Sequence, residues 1–253
     1  MKVAIYSSIM GDYEATAKPL PPDLDVPAIM FTDNPRIVEQ APAAGWTVVE
    51  TSWPYELFEA NPANGDPAIT RPMLAHKYWK THPAEAMRFA GMPDVEASIW
   101  LDGSMQIRGG GSEFVANNLA ALGDDDWSLM SHPWRRCVFD EAVYSSTLIF
   151  RYDSAAMMRQ HDRYLKQGHP RGWGLFATGH MVRRHSHAAN ELGRHWWNHN
   201  VEFSHQDQIS LPVLMRWYED PATHEEYVPG ARHVRWNTNV PWWTWTDLHP
   251  HGA

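Results

Sequence analysis

The feature that most constrains this chain is a series of short apolar runs, each cut off by a turn signal and several followed by a stretch with helical character. Residues 2–8 (KVAIYSS) combine apolar and β-branched types and read as a buried strand, which Gly11-Asp12-Tyr13 breaks. Further strands are predicted at 27–32 (PAIMFT), ending at Asp33-Asn34-Pro35, at 46–50 (WTVVE), at 97–102 (ASIWLD), stopped by Gly103, and at 127–131 (WSLMS). Between them, residues 71–81 (RPMLAHKYWKT) predict a helix with Pro72 near its first turn. After the loop 109–111, Ser112 is placed to cap a helix over 113–122, and residues 153–166 predict an amphipathic helix ended by Gly168. Pro54 to Pro67 reads as loop. Strands alternating with helices predict an α/β fold, a mixed sheet flanked by helices, rather than a sandwich or a bundle.

The 253 residues suit one such domain, with a core near 2–217 and a C-terminal segment, 218–253. That segment, ending WNTNVPWWTWTDLHPHGA, either packs over a cleft or ends the chain loosely. A balance of 21 Lys and Arg against 30 Asp and Glu gives −9, which argues against charge-driven capture of nucleic acid. A local basic cleft remains open, with Arg183, Arg184 and Arg194 as its candidates. The single cysteine, Cys137, excludes an intramolecular disulfide and fits a reducing, cytoplasmic setting, with a disulfide-free secreted protein as the alternative. No run approaches the ~20 apolar residues of a membrane span. The opening apolar run is too short for a secretion signal and soon meets Asp12 and Glu14. Fourteen tryptophans and fifteen histidines are many for this length; most are expected in the core or on the surface, though aromatic faces also suit sugars and histidines suit metals or phosphate.

Chemistry enters where Ile99-Trp100-Leu101-Asp102-Gly103-Ser104 brings a carboxylate to the end of a buried strand. Ligands of α/β proteins bind at that end, and an acid there can hold a hard divalent cation against a diphosphate. The local alternative is that Asp102 caps a turn. Asp33 follows a strand in the same way and is placed either to meet a base or ribose or to form the turn before Pro35. The stretch 131–141 packs His132, Arg135, Arg136, Asp140 and Glu141 among aromatics, a cluster that could bind phosphate, position an acceptor hydroxyl, or pair with itself in solvent. Cys137 reads as a packed thiol. Strand periodicity puts Arg183 and His185 on one face and Arg184 on the other. Asp207 opens a helix, and N-terminal capping accounts for it locally. No zinc, Walker, dinucleotide or nucleophile-elbow motif is present.

In order along the chain, VAIYSSIMGDYE, FTDN, RPMLAHKYWKTHP, IWLDGSM, SHPWRRCVFDEA, GHMVRRHS and SHQDQISL resemble the glycosyltransferase-like family of the plant mucilage and tapetum-degeneration proteins and their bacterial homologues. The resemblance spans residues 3–217 and implies a GT-A-like fold that moves a sugar from a nucleoside-diphosphate sugar, a UDP-sugar above all, to an acceptor hydroxyl. It implies a divalent cation, Mn²⁺ or Mg²⁺, at Asp102 and Ser104. Asp33, Arg71, His76, Lys77, Arg135, Arg183 and Gln208 are implied substrate contacts, with Asp207, Glu141 and His132 as catalytic candidates. One departure stands out: Ser104 occupies the place of the second acid in the common Asp-x-Asp metal motif. The acceptor is left open between glycan, protein, small molecule and modified nucleobase. The competing readings are a non-catalytic glycan- or nucleotide-binding module and a metal-dependent phosphoryl-transfer or hydrolytic enzyme.

Overall fold

Strand β1 (Val3–Ile9) is buried at every residue, which a segment sustains only inside a sheet covered on both faces. The computed structural model describes residues 1–54, 67–148, 152–240 and 245–249, with 67–70 described by backbone alone. β1 lies between β2 (Ala28–Thr32) and β4 (Ala97–Leu101), parallel to both, and β3 (Thr47–Glu50) pairs outside β2. Beyond β4, β7 (Phe176–Arg184) runs antiparallel to β4 and to β6 (Trp127–Ser131), and β8 (Trp236–Asn237) joins β6 in parallel. The order is β3-β2-β1-β4-β7-β6-β8, with β7 alone reversed. The chain thus forms the mixed α/β sheet that its strand–helix alternation predicts.

Side chains alternate across the sheet. Tyr6, Trp100 and Trp127 enter one core with α2 (Pro67–Thr81), α7 (His187–Glu202) and α8 (Asp207–Glu219). Ile5, Ile99 and Leu101 enter the other with α1 (Pro35–Gln40) and α4 (Gly111–Leu122). Trp79, Trp100, Trp127 and Trp196 are almost wholly buried, and each side chain of this size removes about 150–250 Å² from water, worth roughly 4–6 kcal/mol. Trp79 stacks on Phe31 with ring centroids 4.3 Å apart. α7 crosses the end of α2 so closely that a Cβ at Gly193 would lie 2.2 Å from the Thr81 carbonyl oxygen, so the crossing requires glycine.

Several element boundaries differ from expectation. α2 starts at Pro67, which puts Pro72 inside the helix rather than in its first turn. Ser112 does not cap α4: Gly110 holds the cap position, and Asp23, far away in sequence, accepts the Gly111 N–H at 2.8 Å. The Ser112 hydroxyl instead donates to the Asp23 carbonyl at 2.8 Å. α6 (Ser154–Lys166) keeps its local cap, Asp153, which accepts from Ala156 N at 2.9 Å. Helices α3 (Pro83–Phe89) and α5 (Val138–Leu148), together with α7 and most of β7, were not anticipated. In the C-terminal segment β9 (Thr246–Leu248) pairs antiparallel with β5 (Met105–Ile107), and β8 joins the main sheet. The loop expected from Pro54 to Pro67 lies almost wholly outside the described residues. No helix among the described residues is long and apolar enough to cross a membrane.

Candidate active site

From β1 the chain builds outward to β2 and β3 on one side, and β4 opens the other side. The carboxyl ends of β1 and β4 therefore flank a topological switch point, where crevices form in open α/β sheets. A cleft of about 330 Å³ lies there, lined by Ser8 near the end of β1, Asp102 after β4 and Thr178 at the facing end of β7. Asp102 Oδ1 accepts from Trp100 Nε1 at 2.7 Å and Lys80 Nζ at 3.0 Å, with His76 Nε2 at 3.4 Å. None of these bonds reaches Oδ2, which lies 3.5 Å from where a Cβ at Gly179 would stand. Gly103 follows because a Cβ there would come within 2.7 Å of Ile9 Cγ1. Ser104 lines the cleft in the next turn, and its carbonyl accepts from His249 N at 2.9 Å.

One face of α2 supplies the cations. Lys80 lies four residues after His76 and three after Lys77, so it neighbours both on the helix surface. His76 Nδ1 bonds the Ser8 carbonyl at 2.8 Å, fixing the helix to the end of β1; burial above all lowers its pKa. Lys80 is fully buried and reaches two acids, Asp102 at 3.0 Å and Asp207 at 2.8 Å. Lys77 Nζ donates to the same Asp207 oxygen, Oδ2, at 2.8 Å. Thr178 accepts from Lys80 at 3.1 Å and donates to Asp207 Oδ1 at 3.0 Å. Burial opposes ionisation of both acids, but Lys77 and Lys80 overcome it at Asp207 and bring its pKa down to about 2. Against the same burial, Lys80 and His76 hold Asp102 well below the usual carboxylate range. Burial pulls Lys80 below its ordinary value, and the two carboxylates oppose that. Asp207 opens α8 without acting as its cap; the capping role that local sequence favours gives way to this four-residue charge network.

The opposite wall comes from β6 and α5. Glu141 is buried and accepts from Arg135 Nε, from Ser145 Oγ at 2.8 Å and from Gln206 Nε2 at 2.9 Å. Tyr152 donates to the other end of that amide, Gln206 Oε1, at 3.1 Å. His132 Nε2 stands 4.0 Å from Glu141, while its Nδ1 accepts the Arg135 N–H at 3.0 Å. Within the 131–141 stretch Arg135 and Glu141 thus pair with each other inside the cleft, whereas Arg136 and Asp140 are exposed outside its lining, with Asp140 4.0 Å from Arg171.

Asp102, Ser104, His76, Lys77, His132, Arg135, Glu141, Asp207 and Gln208 all line this cleft. Three expected site residues do not. Asp33 is half-buried and accepts the Gly11 N–H at 2.6 Å, tying down the loop after β1. Arg71 is exposed on α2, away from the lining. Arg183 is fully buried in the core, bonded to the Tyr6 hydroxyl and 5.1 Å from the Trp127 ring. Nor do its companions make a basic cleft: Arg184 donates to the Asp125 carbonyl at 2.9 Å, and Arg194 is exposed on α7. Residues not anticipated are Lys80, Thr178, Tyr13 and Glu14, of which Lys80 was the most accessible, sitting one helical turn from Lys77. Among the described residues no group of three His, Cys, Asp or Glu side chains converges on a metal position.

Comparison with solved structures finds distant likeness. The mannosyltransferase Ktr4p from S. cerevisiae is 10% identical with a TM-score of 0.45, over 84% of this chain and 64% of that one. The apo form of mouse xyloside xylosyltransferase 1 is 12% identical with a TM-score of 0.42, over 92% and 84%. No curated protein matches the sequence. A family model does match residues 87–225, more than half of the chain and the part that carries Asp102, His132, Glu141 and Asp207. By that match the chain belongs to the TOD1/MUCI70 family and carries its glycosyltransferase-like domain.

Proposed function

We propose that the protein transfers a sugar from a nucleoside-diphosphate sugar, a UDP-sugar first, to an acceptor hydroxyl with the help of Mn²⁺ or Mg²⁺. The observation that carries the reading is Asp102: a carboxylate that lines the cleft at the switch point, held through one oxygen by Lys80 and Trp100, whose bonds leave the other oxygen untouched. The charge balance supports a cation. Asp102, Glu141 and Asp207 already engage Lys77, Lys80 and Arg135, so an added diphosphate would bring negative charge that these pairs leave unmatched. Asp102 Oδ2 and the Ser104 hydroxyl are hard oxygen donors, which suit a cation that takes its remaining ligands from phosphate and water. Such an ion, when bound, supplies charge to the departing diphosphate.

The chain's own residues do the rest. The acceptor oxygen bonds to the anomeric carbon, and the bond from that carbon to the diphosphate breaks with its electron pair leaving on the diphosphate. A carboxylate with a pKa of about 2 is a weak general base at neutral pH. Asp207 therefore accepts a hydrogen bond from the acceptor hydroxyl and orients it, and the proton passes to the departing phosphate oxygen, whose pKa is near 6. Lys80 keeps Asp102 and Asp207 in fixed relation while this occurs. The proposal takes the chain as one catalytic unit working in the cytoplasm.

The test is a thermal-shift and calorimetric screen of UDP-, GDP- and CMP-sugars with and without Mn²⁺, followed by product analysis. Metal-dependent stabilisation by one nucleotide and a glycosylated product are expected. Release of inorganic phosphate, or no response to any sugar nucleotide, would overturn the reading.

A further inference from the structure

Trp134 stands at the mouth of the cleft with 71% of its surface exposed, yet its backbone is fixed. His132 Nδ1 accepts its N–H at 3.3 Å and that of Arg135 at 3.0 Å, and the buried His132 ring meets the indole edge-on at 5.8 Å. Beside it the Arg135 guanidinium lies 3.9 Å from the ring centre of Tyr144, itself 40% exposed and part of the same lining. A large aromatic face presented to water at the edge of a cleft, on a backbone already fixed, is a binding surface with a reduced ordering cost. Its charge is spoken for: Arg135 is paired with Glu141, and Lys77, the other cation in the lining, with Asp207. Among the described residues of the lining, neither Lys77 nor Arg135 is left over to draw an anion.

Its place in the sheet is also informative. Asp102 follows β4, Thr178 and Asp207 meet over β7, and Trp134 follows β6, with β7 between β4 and β6. At the usual strand spacing this sets β4 and β6 about 10 Å apart, with Asp207 between them. We infer that Trp134, Tyr144 and Arg135 form the acceptor subsite, and that the acceptor is a neutral oligosaccharide with one sugar ring stacked on Trp134. Calling the bound saccharide an acceptor rests on the transferase reading above.

Saturation-transfer NMR with short neutral xylo-, manno- and cello-oligosaccharides, and with acidic oligogalacturonides as the contrast, tests binding without any donor or turnover. At least one neutral series should bind wild type, bind Trp134→Ala about tenfold more weakly, and recover with Trp134→Phe. In a transfer assay Trp134→Ala should raise the acceptor KM by a similar factor with kcat nearly kept. The inference is overturned if no neutral oligosaccharide binds, if only the acidic series binds, or if Trp134→Ala binds as wild type does. It is also overturned if that variant alters only self-association in ultracentrifugation, which would make the face a protein contact. Saccharide binding without any response to sugar nucleotides would sink the transferase reading alone; donor-dependent turnover indifferent to Trp134 would sink the subsite alone.

Discussion

The two walls of the cleft handle charge in different ways. On the α2 side, Lys77, Lys80, Asp102 and Asp207 interlock in one network in which Lys80 is fully buried and Asp207 nearly so. On the β6–α5 side a single pair, Arg135 and Glu141, is steadied by neutral groups, and Arg135 keeps 21% of its side chain in water. The difference lies in the cation: removing the fully buried Lys80 strands the nearly buried Asp207 with no opening for water, whereas removing Arg135 opens a path for water to Glu141. The first wall is thus built to hold geometry and the second to meet a variable ligand.

The comparison breaks most directly at Lys80. Lys80→Met should cost about 3–5 kcal/mol in a urea titration, because it leaves the buried Asp207 and the part-exposed Asp102 short of a cation. Arg135→Ala should cost only about 1 kcal/mol, and equal losses would erase the distinction between the walls. In catalysis, Asp102→Asn should lower kcat by about 100-fold or more and abolish any Mn²⁺-dependent thermal shift, while Glu141→Gln lowers it by about tenfold; a full-strength Asp102→Asn enzyme would remove the metal assignment.

Acid sharpens the contrast further. Asp207 titrates near 2 in the folded protein against 3.8 as a free group, so its contribution is present in full above about pH 4 and is lost as the pH falls toward 2. Burial pushes His169 and His185 down to about 4 and His180 and His199 to about 3. Each stays neutral when folded but binds a proton near 6.5 when unfolded, so stability falls as the pH drops below 6.5. The limiting slope is about 1.4 kcal/mol per pH unit for each histidine. Melting temperatures should therefore decline from pH 7 to pH 5, before the acid network is touched; a flat profile over that range counts against neutral burial of these rings. The smallest effect belongs to Trp134→Ala, whose exposed side chain should alter stability by no more than about 0.5 kcal/mol.

Much of the α2 and β4 geometry was legible in the chain. A buried strand ending in Asp102-Gly103 points to the sheet edge where ligands sit, and the core strands announce themselves by unbroken apolar runs. The residues that escaped are those whose meaning depends on distant partners. Lys80 looks like a helix-end lysine until β7 brings Thr178 beside it, and β7 itself, with Thr178, Gly179 and His180 among its residues, lacks the apolar run of a buried strand. Arg183 obeys strand periodicity, but periodicity cannot say which face is the core; Tyr6 and Trp127 decide it. Asp33 resembles a ligand contact in every local respect, and only the return of Gly11 shows it clamping a loop.

The pairing of β5 with β9 has a consequence for synthesis. Arg108 and Asp247, bonded at the edge of that small ribbon, are 139 residues apart, and β9 also brings Leu248 into the cleft lining and His249 to the Ser104 carbonyl. A ribosome delivers these residues after every strand of the main sheet has emerged. The rim beside Asp102 is therefore assembled after the main sheet, and a chain cut before β9 would hold a folded sheet around an unfinished cleft.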